Sequence, residues 1–92
     1  VVLSDEIYSR LTYDGLEHAS LLEFEHLRDR LIVLDGWSKT YSMTGWRLGW
    51  GLWPKGMIKE AERLQINSNS CASAPVQMAG IEALRGPQDA VE

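Results

Sequence analysis

The sequence predicts an α/β layer, and three observations carry that expectation. Two short apolar runs, Val1-Val2-Leu3 and Leu31-Ile32-Val33-Leu34, are separated by roughly the thirty residues that a strand–helix–strand unit takes up. Both are short, and neither alternates strictly with polar residues, as suits strands covered on both faces. Beyond Pro54, apolar residues recur at helical spacing. The composition agrees: 45% of the 92 residues are hydrophobic and 24% charged, close to the globular average, which excludes a disordered or collagen-like chain.

Val1 to Glu6 reads as the first strand, its polar end Ser4-Asp5-Glu6 meeting solvent. Tyr13-Asp14-Gly15 is a turn signal. Ser20-Leu21-Leu22-Glu23 has the capping-box spacing, so a short helix is expected from there to about Leu27, closed by Arg28-Asp29-Arg30. Leu31 to Leu34 is the second strand, β-branched at its middle. A loop follows from Asp35 to Thr44, and a third strand is expected within Trp46 to Trp53. Met57, Ile58, Ala61 and Leu64 predict a helix to about Gln65, and Asn67 to Ser73 a polar loop. The last helix is expected to start at Ser73 with Pro75 in its first turn and to end at Gly86-Pro87. Its predicted inner stripe is Val76, Ala79, Gly80, Ala83 and Leu84.

Nine basic against thirteen acidic residues give a net charge of −4 with no cationic cluster, which argues against nucleic acid as a partner. No apolar run reaches the ~18 residues of a membrane-spanning helix. The single Cys71 has no Cys or His at zinc spacing, so no metal site is expected. A lone cysteine and the lack of a signal-peptide pattern point to a reducing, cytoplasmic setting. The chain opens inside a core strand without methionine and closes soon after a helix stop. The expectation is a piece of a larger protein, only marginally stable alone.

Between Leu31 and Pro54 the chain carries three charges, Asp35, Lys39 and Arg47. Lys39 follows closely on an apolar strand, where poor hydration disfavours the ammonium form and makes the amine a nucleophile for carbonyls. The alternative is a lysine that snorkels from the strand end into water. Arg47, between Gly45 and Gly49 in an aromatic stretch, suits a phosphate, or a carboxylate from elsewhere in the protein. Asp5 ends the first strand, and ligands of open α/β sheets sit outside the carboxyl ends of the strands. An amine, a guanidinium and a carboxylate are together what pyridoxal phosphate needs for its aldehyde, phosphate and ring nitrogen. Four tryptophans, Trp37, Trp46, Trp50 and Trp53, read as core or interface packing. His18 and His26 read as solvated, and Cys71 as a packing residue.

Asp5-Glu6-Ile7-Tyr8 and, some thirty residues on, Gly36-Trp37-Ser38-Lys39-Thr40-Tyr41-Ser42-Met43-Thr44-Gly45-Trp46-Arg47-Leu48-Gly49 resemble the class I/II aminotransferases of the aspartate aminotransferase fold. The Ser-Lys…Met-Thr-Gly-Trp-Arg-Leu-Gly run is similar to that family's lysine-attachment signature, and the likeness covers essentially the whole chain. It implies that residues 1–92 belong to the pyridoxal-phosphate-binding large domain of fold type I, a mainly parallel sheet with one antiparallel strand, flanked by helices. The resemblance also implies roles. Asp5 pairs with the pyridine nitrogen, Tyr8 bonds the ring's phenolic oxygen, and Lys39 holds the cofactor as a Schiff base and shuttles the substrate's proton. Arg47 binds the phosphate, with Ser38 assisting. Many members carry a phosphate-binding serine three residues before the lysine, where this chain has Gly36. That contact is therefore lost, replaced by backbone or water, or moved to Ser38. The implied activity is transfer of an amino group between an amino acid and a 2-oxo acid by a homodimer. Two alternatives share the scaffold: a β-elimination lyase, and the sensing domain of a transcription regulator. A non-catalytic remnant is a fourth reading, opposed by intact Asp5, Tyr8, Lys39 and Arg47. Asp5→Ala is expected to cost far more activity than Glu6→Gln.

Overall fold

The computed structural model describes residues 1–91. Three strands, β1 (Val2–Asp5), β2 (Leu31–Gly36) and β3 (Gly49–Leu52), form one sheet in the order β1-β2-β3. β1 and β2 are parallel, with Val2 opposite Leu31 and Asp5 opposite Leu34. β3 runs antiparallel to β2, setting Gly36 opposite Gly49. The one antiparallel strand that the family resemblance implies is thus β3, and the described sheet holds one pairing of each kind. Leu31, Ile32 and Val33 are buried, Val33 to 1% exposure, as suits a central strand covered on both faces.

Helices α1 (Ile58–Asn69) and α2 (Ala74–Arg85) follow the sheet. α1 runs about a turn past the expected Gln65, taking Asn67 to Asn69 out of the expected polar loop; in that turn Asn67 Nδ2 and Ser68 Oγ donate to the carbonyls of Arg63 and Gln65 (2.6 and 3.3 Å). α2 starts after Ser73 with Pro75 in its first turn, and the Gly86 N–H closes it on the Glu82 carbonyl at 2.7 Å. Its buried contact is Gly80, whose carbonyl accepts the Trp37 indole N–H at 2.9 Å. A Cβ at residue 80 would stand 2.5 Å from Leu48 Cδ2 and 3.2 Å from Trp37 Cε2. Glycine is what lets α2 dock on the end of β2. Leu84, expected in the inner stripe, faces solvent instead at 56% exposure.

One other expectation is corrected. Residues 20–27 do not form an α-helix: they form two single 3₁₀ turns, Leu21–Glu23 and Glu25–Leu27. The capping box is present, with both the Ser20 and Glu23 bonds made. Phe24 then turns extended (φ −95°, ψ 90°) and interrupts the run. Neither turn has a buried residue, and so short a segment lacks the packed face that sustains a helix. The third strand lies within Trp46–Trp53, as expected, and occupies Gly49–Leu52. Thr44–Trp46 is a 3₁₀ turn and Arg47 is left-handed (φ 53°, ψ 46°), which redirects the chain before β3 begins.

Candidate active site

Parallel pairing of β1 with β2 sends both carboxyl ends to the same side of the sheet, and β3, being antiparallel, starts there. Asp5 is the last residue of β1. Lys39 follows β2 by three residues, and Arg47 precedes β3 by two. Tyr8 stands in a turn closed by the Ser9 N–H on the Glu6 carbonyl at 2.8 Å. The clearest meeting is between the two motif halves: the Lys39 ammonium lies 5.7 Å from the centre of the Tyr8 ring. That is within reach of a cation–π contact.

Arg47 is tied to the lysine loop through Thr44. The Thr44 hydroxyl donates to the Ser38 carbonyl at 3.0 Å, and the Arg47 guanidinium donates to the Thr44 carbonyl at 3.0 Å. Trp37 N–H donates to the Leu48 carbonyl at 3.3 Å, closing the loop at its base. Residues Trp37 to Leu48 therefore form one loop that carries Ser38, Lys39 and Arg47. Arg47 keeps a left-handed backbone, which costs about 1–3 kcal/mol and persists where surroundings over-determine it.

The groups have bonding capacity to spare. Asp5 Oδ1 accepts the Ile7 N–H at 3.2 Å. Among the described residues the ion pairs are His18–Glu6 and Arg63–Glu60, so Asp5, Lys39 and Arg47 have no ion-pair partner there. Asp5, Tyr8 and Arg47 are exposed, and Lys39 and Ser38 are half-buried. Lys39 is thus less dry than its place after an apolar strand suggested, since β2 ends three residues before it and the residue is only half-buried. A hollow of about 370 Å³ is lined in part by Arg47. A groove of about 600 Å³ between β3, α1 and α2 holds none of the five residues.

Gly36 has a physical cause. A Cβ there would lie 2.9 Å from the Leu48 carbonyl oxygen and 3.0 Å from Gly49 Cα. Both are backbone atoms, so β2 and β3 approach too closely for a serine in the present geometry.

Glu6, expected at the solvent-meeting end of the first strand, lies one residue beyond β1 and does not face solvent. In the structure it is buried, at 7% exposure. One carboxylate oxygen accepts from Ser4 Oγ (3.2 Å) and Leu21 N–H (3.1 Å), the other from Ser20 Oγ (2.7 Å) and His18 Nε2 (3.2 Å). Burial pushes its pKa up, but these hydrogen bonds outweigh burial and hold the carboxyl below its ordinary value. His18 is exposed, as expected, and its ring also reaches into this cluster. No local motif marks this cluster, because its donors at residues 18–21 come from a loop that returns to Glu6 only in the fold. Asp35, the third charge between Leu31 and Pro54, accepts from Ser9 Oγ at 3.3 Å and Gly36 N–H at 2.6 Å. Among the described residues no helix is long and apolar enough to cross a membrane, and no cluster of metal-ligating side chains is present.

The fold is an α/β sheet with Asp5 at the carboxyl end of β1 and Lys39 three residues beyond β2, close to Tyr8, on the side where ligands of such sheets usually sit. The chain belongs to the aminotransferase class I and II family, whose profile it matches over residues 1–92. It is 42% identical to an aspartate aminotransferase of Geobacillus stearothermophilus, over 100% of this chain and 24% of that protein. It is 41% identical to a probable aspartate/prephenate aminotransferase of Rickettsia felis, over 99% of this chain and 22% of that protein. Its fold is similar to the crystal structure of aspartate aminotransferase from Rhizobium meliloti (TM-score 0.90, 38% identity, 97% of this chain, 22% of that one). An aromatic aminotransferase from Pyrococcus horikoshii is similar too (TM-score 0.92, 34% identity, 99% and 25%). The chain spans about a quarter of the length of these proteins.

Proposed function

We propose that these 92 residues are part of the cofactor-binding large domain of a longer, cytoplasmic, homodimeric aminotransferase. That enzyme uses pyridoxal phosphate to move an amino group between an amino acid and a 2-oxo acid. The observation that carries the reading is the approach of Lys39 to Tyr8 at 5.7 Å, which joins two motif halves thirty-one positions apart. The donor set supports it as well: cationic and anionic side chains with no ion-pair partner among the described residues match an aldehyde, a phosphate and a basic ring nitrogen. Relatives named as aminotransferases favour transfer over elimination or sensing.

In this reading Lys39 holds the aldehyde carbon through its amine and, when free, moves the proton at the substrate Cα. Asp5 keeps a proton on the ring nitrogen, Tyr8 donates a hydrogen bond to the ring's phenolic oxygen, and Arg47 with Ser38 binds the phosphate. Bound pyridoxal phosphate supplies an electron sink that disperses the negative charge left at Cα. The exposure of Asp5, Tyr8 and Arg47 fits a site whose other walls come from the rest of the enzyme and from the second subunit.

The test is a single turnover of the full-length, cofactor-loaded protein with an amino acid, beginning with aspartate because the relatives are named for it. One 2-oxo acid per site, with the amino group retained until a second 2-oxo acid is added, is the expected result. Catalytic release of free ammonia would overturn it in favour of a lyase.

A further inference from the structure

Resting on the reading above, we propose that Glu6 is a positioning residue for the reaction: its carboxylate, satisfied by Ser4, His18, Ser20 and the Leu21 N–H, fixes where Asp5 and Tyr8 stand. Glu6 is the residue after Asp5 and lies two before Tyr8. Its backbone N–H donates to the Leu34 carbonyl at 2.8 Å, the bond that follows the β1–β2 ladder, and its carbonyl closes the turn that presents Tyr8. Its side chain reaches across to residues 18–21, twelve to fifteen positions along the chain. One residue thereby ties the strand end, the Tyr8 turn and the returning loop together.

An exposed carboxylate would have no need of four donors. This one is nearly fully buried, and the described residues leave no buried side-chain nitrogen or oxygen without a partner. The shortest bond, from Ser20 at 2.7 Å, is made by the same hydroxyl that caps the following turn through the Leu22 N–H at 3.1 Å. Loosening Glu6 therefore frees the loop and the Tyr8 turn together. A group displaced by only an ångström or so loses rate although it touches no substrate.

The experiment compares Glu6→Gln, Ser20→Ala and His18→Gln in the full-length enzyme loaded with pyridoxal phosphate. It reads kcat, KM and the pH midpoint of the cofactor's visible band. Ser20→Ala is the informative variant because it breaks the shortest bond without altering charge. The expected result is a kcat reduced by about ten-fold with KM little changed, and a band midpoint shifted upward as Tyr8 withdraws from the ring oxygen. If Glu6→Gln does not yield folded protein, the other two variants decide by the same readouts. Folded variants whose band midpoint and kcat match the wild type would overturn the role. Failure of the underlying cofactor reading is distinguishable, since the wild-type protein would then develop no visible band with pyridoxal phosphate at all.

Discussion

Replacing Gly36 by serine restores the side chain that many class I/II aminotransferases carry three residues before the lysine, and here it is expected to harm the protein. The new Cβ would sit 2.9 Å from the Leu48 carbonyl oxygen, about half an ångström inside ordinary van der Waals contact. Backbone cannot swing aside as a side chain can, so β2 and β3 must part. The Trp37 N–H bond to that same carbonyl is already 3.3 Å long and would pass out of hydrogen-bonding range. Overpacking costs about 1–3 kcal/mol and the lost bond about 1 kcal/mol. Reduced freedom of the unfolded chain returns about 0.4–1 kcal/mol. The net expectation is a loss of about 2 kcal/mol, with no tighter hold on the cofactor, because the shift disturbs the base of the loop that carries Lys39 and Arg47. Urea unfolding of the full-length apoprotein gives the first quantity and a cofactor titration the second. A Gly36→Ser protein of wild-type stability that binds pyridoxal phosphate more tightly would refute the close-approach argument.

Further expectations follow from the same contacts. Gly80→Ala places a methyl 2.5 Å from Leu48 Cδ2 and 3.2 Å from the Trp37 ring; it should destabilise by about 1–3 kcal/mol, read as a lower urea midpoint at unchanged slope. Arg47→Ala should weaken pyridoxal phosphate binding by about ten- to hundred-fold through lost charge-assisted bonds, while equal dissociation constants would remove Arg47 from the phosphate site. Because the pKa of Glu6 is lowered in the folded protein, its stabilisation is complete above the unfolded value of about 4.3 and is lost as pH falls through the folded value. Glu6→Gln should therefore flatten the acid side of the stability–pH curve, as followed by urea midpoints from pH 3 to 7. Asp5→Ala should lower kcat by about a hundred-fold or more, since a neutral ring nitrogen is a far poorer electron sink; near-normal turnover would remove Asp5 from the ring.

The parts of the fold legible in the sequence are those set by local chemistry. Leu31 to Val33 announce a central strand because nothing polar interrupts them, and Pro75 and Gly86 mark the ends of α2 because each limits backbone geometry locally. The capping box at Ser20 was equally readable, but whether a helix continues past it depends on a packed face that Phe24 and its neighbours lack. The site divides the same way. Lys39, Arg47 and Asp5 stand out as charges at the ends of apolar runs. Glu6 does not, because its importance lies in donors from residues 18–21 that only the returning loop delivers. Gly36 was visible as a departure from the family pattern, and its reason is the distance between two strands, which no local motif encodes.

Borohydride reduction of the full-length protein after incubation with pyridoxal phosphate, followed by peptide mapping, addresses the central claim most directly, because reduction fixes the cofactor to whichever amine holds it. The account predicts one cofactor per chain on the peptide containing Lys39, and none on the Lys55 or Lys59 peptide. Stoichiometric labelling at another lysine, or no labelling of a folded protein, would contradict it.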